Sequence, residues 1–386
     1  MTSTGQHIAI LTCCMDDWGG SEELWARAIP YLKGHRFTLY KDRINFSHPE
    51  IKQLIEQQVR CVELDPAGNR IKKLSDKVYR KIFSKERSPF YTNSPHALQF
   101  KERLKKDRPS FVIIAQGINF DGLGYAYQCL QLNIPYCIIA QKAVEFFWPV
   151  TAERQLMIDT FQQAKKCYFV SHQNKTLTEE QFGFRFQNAE VVWNPVKISR
   201  QPVPYPSLKD GIFKLAFVGR LFLIDKGQDI LLRILSKEPW ASRPLSVSFI
   251  GTGHDEAGIK SLTKLLNVKN VAFQGHENDI ANMWKKYHAL ILSSRSEGMA
   301  LSVLEAMAAG RAVITTNAGG HAEIIEHGQT GFIGDATEND FARTMEDAWH
   351  QRENWEQIGL EANRHIRQQL PANPEQLFAA SIQNIL

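Results

Sequence analysis

The sequence lacks the features that mark membrane-spanning, secreted and repetitive proteins. It contains no run of about eighteen apolar residues, so no segment is predicted to cross a membrane as a helix. The N-terminus, MTSTGQHIAILTCC, has no basic stretch followed by a long apolar segment, which argues against a secretory signal peptide. Internal repeats and low-complexity tracts are also missing, which disfavours solenoid and disordered proteins. We therefore expect a cytoplasmic globular protein.

Signatures of disulfide and nicotinamide chemistry are missing as well. No two cysteines form a Cys-x-x-Cys pair, and several lie in apolar runs, so we expect reduced, buried thiols. Neither half opens with Gly-x-Gly-x-x-Gly and an acidic residue about twenty positions later, which disfavours a dehydrogenase. The cysteines are Cys13, Cys14, Cys61, Cys129, Cys137 and Cys167.

The charge is unevenly distributed over a chain of 386 residues, which is long enough for two domains. Residues 1–200 contain 28 Lys or Arg and 20 Asp or Glu, whereas residues 201–386 contain 18 and 21. A basic first half and a slightly acidic second half favour an anionic partner for the first. We predict no nucleic-acid partner.

Short apolar runs alternate with segments long enough for helices in both halves of the chain. This alternation predicts an α/β protein with two Rossmann-like, doubly wound parallel sheets that face each other across a cleft. Ligands of such sheets bind beyond the carboxyl ends of the strands. A helix from Ser21 to Tyr31, with Ser21 as its N-cap, is expected after the first strand. The predicted strands are 7–13, 37–40, 111–115, 136–140, 166–170, 213–218, 245–250, 271–274, 287–292 and 312–315.

A proline-rich stretch between Trp193 and Gly211 interrupts this pattern, because proline fits neither a helix interior nor a central strand. We place the domain boundary there. The expected division is a first domain over 1–197, a second over 198–370 and a final helix over 371–386. Return of that helix to the first domain is one option.

Two glutamates, Glu297 and Glu305, flank the predicted start of a helix in the stretch SSRSEGMALSVLE. Helix N-termini offer backbone N–H groups and partial positive charge, so the amides from Gly298 to Ser302 suit a diphosphate. One carboxylate could accept hydrogen bonds from the hydroxyl groups of the transferred sugar, and the other from those of the ribose. The alternative is an ordinary strand-to-helix connection in which a first-turn glutamate complements the helix dipole.

Five segments together resemble a known family. The segments FVGRLFLIDKG, FIGTG, VAFQG, SEGMALSVLEAMAAG and NAGGHAEIIEHGQTGFI stand in the order and spacing of the retaining glycosyltransferases of family 4. The resemblance implies the GT-B fold and transfer of a sugar from a nucleotide-sugar donor of the UDP or GDP type. The acceptor hydroxyl would belong to a surface polysaccharide, lipopolysaccharide or glycolipid, and the donor would be a substrate with no further cofactor.

The resemblance also assigns site residues. Arg220 and Lys226 would hold the donor diphosphate, and fixed cations there stabilise a leaving group whose charge grows, so that no metal is required. Glu297 would bind the donor sugar and Glu305 the ribose. Further donor contacts would come from Gly298, Met299, Ala300, Leu301, Gly275, His276, Gly19 and Gly20.

Each assignment has a plainer alternative. Lys226 would otherwise be a solvated lysine at a helix start, and His276 a surface histidine. Gly19 would otherwise serve only a left-handed turn. Glu22 and Glu23, which follow, are read as charges that favour the first turn of a helix.

The chain departs from the family at two positions in the first half. Many relatives carry a histidine after the strand that resembles IPYCIIA, where this chain has Gln141, and the earlier strand is followed by Gln116. Glutamine can bind a hydroxyl of the acceptor but carries no proton at neutral pH. An acid or base role is therefore doubtful there. In the family, the leaving phosphate itself is thought to take the acceptor's proton.

Two segments are candidates for acceptor or membrane contact. Residues 71–87 carry seven basic and two acidic side chains on a segment with an apolar face, which suits an anionic membrane or polymer. A solvated surface helix is the alternative. The cluster Glu145-Phe146-Phe147-Trp148-Pro149 suits stacking on sugar rings, and core packing would explain it equally well.

Two further function classes compete with the transferase. A GT-B-like sugar-nucleotide epimerase needs titratable groups beside the sugar, and Gln116 and Gln141 argue against it. The retention of Arg220, Lys226, Glu297 and Glu305 together argues against a non-catalytic sugar-nucleotide-binding subunit. The transferase, working in the cytoplasm or at the inner face of the membrane, is the preferred hypothesis.

Overall fold

The computed structural model describes residues 5–64, 94–208 and 210–386. The basic segment 71–87 lies outside these ranges. The chain divides into two compact units. The first comprises the residues up to Asn194 together with Asn373–Leu386, and the second comprises Pro195–Ala372.

The first unit contains a parallel sheet of seven strands within the described ranges. The order is β3-β2-β1-β4-β5-β6-β7, so the direction of winding reverses between β1 and β4. Its strands are β1 (His7–Thr12), β2 (Arg36–Lys41), β3 (Arg60–Glu63), β4 (Phe111–Gln116), β5 (Tyr136–Ala140), β6 (Cys167–Phe169) and β7 (Ala189–Val191).

Helices cover both faces of this sheet because alternate strand residues belong to two different apolar clusters. Ala9 and Leu11 of β1 pack in one cluster, and Ile8 and Ile10 in the other. The helices are α1 (Glu23–Ala28), α2 (Pro49–Glu56), α3 (Pro95–Asp107), α4 (Leu123–Gln131), α5 (Thr151–Gln162) and α6 (His172–Phe182).

The last helix of the chain, Pro374–Ile385, is part of the first unit. Phe378 packs edge-on against Tyr168 at a ring distance of 5.0 Å, and Ile382 joins the same apolar cluster. The Tyr168 hydroxyl also lies 2.8 Å from Ser381 Oγ. These contacts fix the C-terminus on the sheet of the first unit.

The second unit contains a parallel sheet of six strands, in the order β10-β9-β8-β11-β12-β13. Winding reverses between β8 and β11. The strands are β8 (Phe213–Val218), β9 (Leu245–Ile250), β10 (Val271–Gly275), β11 (Ala289–Leu292), β12 (Ala312–Thr316) and β13 (Phe332–Gly334). The predicted α/β class, with two doubly wound parallel sheets, is confirmed.

The helices of the second unit follow its strands in the manner expected of such a sheet. They are α7 (Leu223–Lys226), α8 (Gln228–Leu235), α9 (Glu256–Leu265), α10 (Ile280–Trp284), α11 (Leu301–Ala308), α12 (Glu338–His350) and α13 (Trp355–Gln369), so that the C-terminal helix Pro374–Ile385 is α14. Within the described ranges, no helix has both the length and the apolar character needed to span a bilayer.

Two local predictions were wrong. Ser21 does not cap α1, because the helix begins at Glu23 and Glu22 occupies the N-cap position without a side-chain cap bond. The Ser21 hydroxyl donates to the Glu22 carboxylate at 2.7 Å. The helix after Glu297 begins at Leu301 and has no acidic residue in its first turn, so Glu305 lies in the second turn. The alternative explanation of Glu305 as a first-turn charge is thereby excluded.

Candidate functional site

The loops after β8 and β11 meet at the point where the winding of the second sheet reverses. In an open parallel sheet this point opens a crevice beyond the carboxyl ends of the strands, where ligands bind. Residues 219–222 leave the end of β8, and residues 293–300 leave the end of β11. The first loop carries Arg220 and the second carries Glu297, whereas Lys226 and Glu305 lie in the helices that follow, α7 and α11.

Gly227 brings α8 against the end of β11. Its φ of +62° is in the left-handed region, and a Cβ there would lie 2.0 Å from the Ser293 carbonyl oxygen. The Ser293 hydroxyl donates to the Gly227 carbonyl at 2.7 Å. Only glycine permits this approach, which sets the distance between α7 and the loop after β11.

Arg295 fastens the same two segments with its guanidinium. Two parallel bonds of 2.8 Å reach the Asp229 carboxylate, and a third of 2.8 Å reaches the Leu223 carbonyl. Burial acts to raise the pKa of Asp229, but Arg295 and Arg233 outweigh it and hold that pKa below its ordinary value. The loop after β11 is therefore locked to the starts of α7 and α8.

Lys226 and Glu297 form an ion pair at the centre of this arrangement, although 71 residues separate them in the chain. Lys226 Nζ lies 2.6 Å from Glu297 Oε1, and the side chains are only 12% and 9% exposed. Ser294 donates to the same oxygen at 2.7 Å. Among the described residues, Glu297 Oε2 and two of the three lysine N–H groups have no protein partner.

The charge of Glu297 is maintained despite its burial. Burial acts to raise the pKa of the carboxyl group, but the Lys226 ammonium and the hydrogen bonds from Lys226 and Ser294 outweigh it, so the pKa lies below its ordinary value. Glu297 is consequently an anion at neutral pH and can only accept hydrogen bonds.

The glycine pair Gly319-Gly320, after β12, packs against the backbone of Glu297 and Gly298. The Gly320 N–H donates to the Gly298 carbonyl at 2.8 Å, and a Cβ on Gly319 would lie 2.4 Å from the Glu297 carbonyl oxygen. His321 follows, fully buried, with Nδ1 2.9 Å from the Thr316 carbonyl. Because a carbonyl only accepts, Nδ1 carries the proton in the neutral ring.

Burial lowers the pKa of His321, so the ring stays neutral at pH 7 and its Nε2 presents a lone pair. That nitrogen has no hydrogen-bond partner in the described part of the chain.

Arg220 lies at the exposed margin of the site. Its side chain is about half exposed, its Nη2 lies 3.4 Å from Asp225 Oδ2, and its guanidinium stands 5.8 Å from the Phe222 ring. Gln228 Nε2 donates to the Arg220 carbonyl at 2.8 Å, which fixes the backbone beneath the side chain. The charge therefore faces solvent next to the Lys226 helix.

The start of α11 supplies backbone amides at the same edge of the sheet. Ala300, the N-cap, provides no side-chain cap, and the first-turn N–H groups of a helix have no acceptor inside the helix. Met299 and Ala300 are buried, as are Gly298 and Glu305, whereas Leu301 is partly exposed. The amide cluster from 298 to 301 thus begins directly after the Glu297 carboxylate.

Gly275 and His276 lie further out, at the end of the edge strand β10. The Gly275 carbonyl accepts the Gly251 N–H at 2.7 Å, which links the ends of β9 and β10. His276 is exposed, with Nε2 3.1 Å from Asn278 Oδ1. No described contact joins either residue to Glu297 or Lys226.

In the first unit, the loop of Gly19 and Gly20 is held by Glu22. This buried carboxylate accepts from the Gly19 N–H at 3.0 Å, from Ser21 and from Thr12. Gly19 does not adopt a left-handed backbone, so the predicted alternative of a simple left-handed turn was wrong. The interpretation of Glu22 as a helix-dipole charge was also incomplete, because its carboxylate organises the loop.

Gln116 and Gln141 stand at the ends of β4 and β5. Gln141 is engaged on both sides: its Nε2 donates to the Ser21 carbonyl at 3.1 Å, and its Oε1 accepts from Asn194 at 2.9 Å. Gln116 is 1% exposed, and its amide atoms have no partner among the described residues. Gln141 therefore braces the glycine loop in this state of the molecule.

Sequence reasoning missed several residues that build the site. Ser294 bonds to the Glu297 carboxylate three residues later, whereas Arg295 bonds to Asp229, which is distant in the chain, and His321 to a backbone carbonyl. The one available signal was the double glycine Gly319-Gly320 after an apolar strand, because such a pair often marks close backbone approach.

Comparison with known proteins agrees with this architecture. Residues 206–365, which lie in the second unit, match the family model described as "Glycosyl transferases group 1". The match supports assigning this segment to the group 1 glycosyltransferases.

Curated relatives also align with only part of the chain. A Bacillus anthracis protein named N-acetyl-alpha-D-glucosaminyl L-malate synthase is 36% identical over 92 residues, which is 23% of this chain and 24% of that protein. The Escherichia coli O-antigen biosynthesis glycosyltransferase WbnH is 28% identical over 151 residues, covering 39% of this chain and 42% of its own. The chain spans about a third of the length of the first curated relatives it matches.

Solved structures match over nearly the whole chain. HepE of Anabaena, in complex with UDP and glucose, superposes with a TM-score of 0.72 at 16% identity, covering 98% of this chain and 100% of HepE. At this identity the match shows the fold, which is the GT-B arrangement of two Rossmann-like domains.

Proposed function

We propose that the chain is a retaining, metal-independent glycosyltransferase of the family 4 type, which moves a sugar from a nucleotide-sugar donor to an acceptor hydroxyl. The observation that carries the proposal is the buried Lys226–Glu297 pair at the reversal point of the second sheet, directly before the amides of α11. A cation and a run of amides suit the diphosphate, and the adjoining carboxylate suits the sugar.

The diphosphate would lie between Lys226, Arg220 and the first amides of α11. Lys226 keeps two N–H groups for phosphate oxygens after pairing with Glu297. As the bond between sugar and phosphate breaks, negative charge grows on the leaving phosphate. The Lys226 ammonium, whose helix is already held by the Arg295 and Gly227 contacts, stabilises that charge without reorganising, which lowers the barrier.

Glu297 and Glu305 would hold the two sugars of the donor. Glu297 Oε2 is the carboxylate oxygen left for a hydroxyl of the transferred sugar. Glu305, buried one turn further along α11, would accept from the ribose. Gly275 and His276 would contact the base at the outer end of the site.

The reaction would need no protein base in the first unit. Neither Gln116 nor Gln141 can take a proton at neutral pH, and Gln141 is already engaged by Ser21 and Asn194. In the proposed mechanism the departing phosphate accepts the proton of the acceptor hydroxyl, and the acceptor attacks from the face that the phosphate leaves. The configuration at the anomeric carbon is then retained.

The relatives support the substrate classes that we propose. HepE was solved with UDP and glucose, and WbnH is named for O-antigen biosynthesis. We accordingly propose a UDP-sugar donor, with a GDP-sugar as the alternative, and a glycan or lipid-linked acceptor of a surface polysaccharide, lipopolysaccharide or glycolipid. We place the reaction in the cytoplasm, with the inner face of the membrane as the alternative location.

The proposal is tested by following sugar nucleotides with NMR spectroscopy. UDP-glucose, UDP-N-acetylglucosamine and GDP-mannose are incubated with the protein, with and without EDTA, while phosphorus spectra report the released nucleotide. Proton spectra recorded before mutarotation report the anomeric configuration of the released sugar. We expect release from one donor, an unchanged rate with EDTA, and an α-configured sugar from an α-linked donor. Release of a β-configured sugar would rule out retention, and a loss of rate with EDTA would rule out metal independence.

A further inference from the structure

Three consecutive aromatic side chains project from the loop after β5. Phe146, Phe147 and Trp148 are 68%, 41% and 56% exposed, and the rings of the two phenylalanines lie 5.0 Å apart. The sequence hypothesis of core packing for these residues is therefore wrong. Exposed apolar side chains that are clustered rather than scattered mark a surface that another molecule covers. We name residues 145–148 the aromatic loop.

The base of the aromatic loop is fixed by three buried amide side chains. Asn119 Oδ1 accepts the Val144 N–H at 2.9 Å, and Gln181 Nε2 donates to the Val144 carbonyl at 2.8 Å. Asn174 Oδ1 accepts the Ala143 N–H at 3.1 Å. Burying three amide side chains costs free energy unless they form hydrogen bonds. Here their hydrogen bonds go to the backbone just before the exposed rings.

The tip of the loop is ordered as well. The Trp148 indole N–H donates to the Glu145 carbonyl at 2.9 Å, and the Phe147 N–H donates to the Val144 carbonyl at 3.1 Å. The indole orientation is thereby set before any partner arrives. A ligand that binds rings held in this way avoids part of the entropy cost of ordering them.

The aromatic loop lies at the edge of the first sheet formed by the carboxyl ends of the strands. It begins four residues after Gln141, at the carboxyl end of β5, and Gln141 itself contacts the glycine-loop residue Ser21. β5 lies next to β4, one strand away from the point where the winding reverses. Loops at this edge are the ones that meet ligands in such sheets.

The charges around the loop favour a sugar over a lipid surface. Residues 142–154 carry two basic side chains, Lys142 and Arg154, and two acidic ones, Glu145 and Glu153. A loop that docks on anionic lipid needs an excess of positive charge, and this one has none. Sugar rings offer C–H groups with partial positive charge, which suit the negative faces of aromatic rings.

We propose that the aromatic loop is a stacking platform for the sugar rings of the acceptor, and hence that the acceptor is an oligosaccharide or polysaccharide chain. The inference rests on the proposed transferase function and specifies its second substrate. The platform supplies apolar contact to the sugar rings of the acceptor, so it acts on acceptor affinity and leaves donor binding unchanged.

The test compares saccharide and nucleotide binding in matched variants of the full chain. A panel of maltoheptaose, cellopentaose, chitotetraose and heparin-derived hexasaccharide is titrated with UDP present, and UDP is titrated separately. We expect wild type to bind at least one saccharide, and Phe146→Ala/Trp148→Ala to bind it about tenfold or more weakly. UDP affinity should be unchanged. The single variant Trp148→Tyr should retain much of the saccharide binding that the double variant loses, because it keeps an aromatic face at this position.

The control is Leu377→Ala, which removes an apolar side chain of similar exposure, 59%, from the same unit. It should leave saccharide binding unchanged. Equal saccharide binding by wild type and the double variant overturns the inference, and so does the absence of any saccharide binding by a wild type that binds UDP. Binding to phosphatidylcholine–phosphatidylglycerol vesicles that the double variant loses would identify a membrane contact instead. A wild type that binds neither UDP nor, in a parallel titration, GDP would refute the proposed function itself.

Discussion

Replacing Glu297 by glutamine isolates the contribution of its negative charge. The substitution preserves size and shape but removes the anion. In the structure, Oε1 lies 2.6 Å from Lys226 Nζ and 2.7 Å from Ser294 Oγ. Oε2 is left for the ligand, so the variant weakens one bond to the sugar while most of the surrounding packing remains.

The size of the effect follows from the strength of that bond. A hydrogen bond to a charged group contributes about 1.5–3 kcal/mol, and each 1.36 kcal/mol changes a rate tenfold. We therefore expect kcat/KM for the donor to fall roughly ten- to a hundredfold in Glu297→Gln. UDP affinity should change by less than about threefold, because a nucleotide without a sugar does not reach the carboxylate.

The assay measures nucleotide release from the preferred donor, with UDP affinity from calorimetry alongside. Glu353→Gln, which alters a glutamate whose side chain is 71% exposed, is the matched control and should behave as wild type. An unchanged kcat/KM in Glu297→Gln would refute the assigned role. A parallel loss of UDP affinity would show that the charge shapes the nucleotide site instead.

Three other substitutions probe the scaffold. Gly227→Ala should abolish donor turnover and lower the melting temperature, because its Cβ would lie 2.0 Å from the Ser293 carbonyl oxygen; wild-type turnover would contradict the close approach. Burial raises the pKa of Asp121 to about 7, so wild-type stability should fall as pH rises from about 4, where the unfolded carboxyl ionises, to about 7. Asp121→Asn should remove that slope between pH 4 and 8, and a stability difference independent of pH would contradict it. Arg311→Lys should destabilise the second unit by about 3 kcal/mol in urea unfolding, because the buried guanidinium donates to six backbone carbonyls and lysine has three donors; a loss below about 1 kcal/mol would contradict this.

The fold was predictable because apolar runs set the strands directly. The predicted ranges Tyr136–Ala140, Phe213–Val218 and Leu245–Ile250 coincide with observed strands. Each is a short, largely apolar run followed by glycine or polar residues, and its buried positions leave little freedom in where the strand ends.

The Ser21 cap was not predictable from local preference. Serine commonly caps a helix by accepting a backbone N–H, but here Glu22 occupies the N-cap position and its carboxylate accepts from the Ser21 hydroxyl and the Gly19 N–H. A bond to a charged acceptor is stronger than one to a neutral group, so the loop closes before the helix starts. Only the fold brings Thr12 to the other oxygen of Glu22.

The contact between Lys226 and Glu297 was likewise beyond sequence reasoning. Family resemblance placed both residues at the donor, but their direct pairing depends on Gly227 packing against Ser293 and on Arg295 bridging to Asp229. The buried amides under the aromatic loop left no sequence signal either, because Asn119 and Gln181 bond to backbone groups at distant positions.

Calorimetric titration of UDP, GDP and ADP into wild type and Lys226→Met tests the central claim most directly. We expect one of the three nucleotides to bind, and its affinity to fall about tenfold or more when the Lys226 ammonium is removed. Lys237→Met, which changes an exposed lysine of the same unit, should bind as wild type does. Equal affinity in wild type and Lys226→Met, or no binding of any of the three, would contradict a diphosphate site at this ion pair.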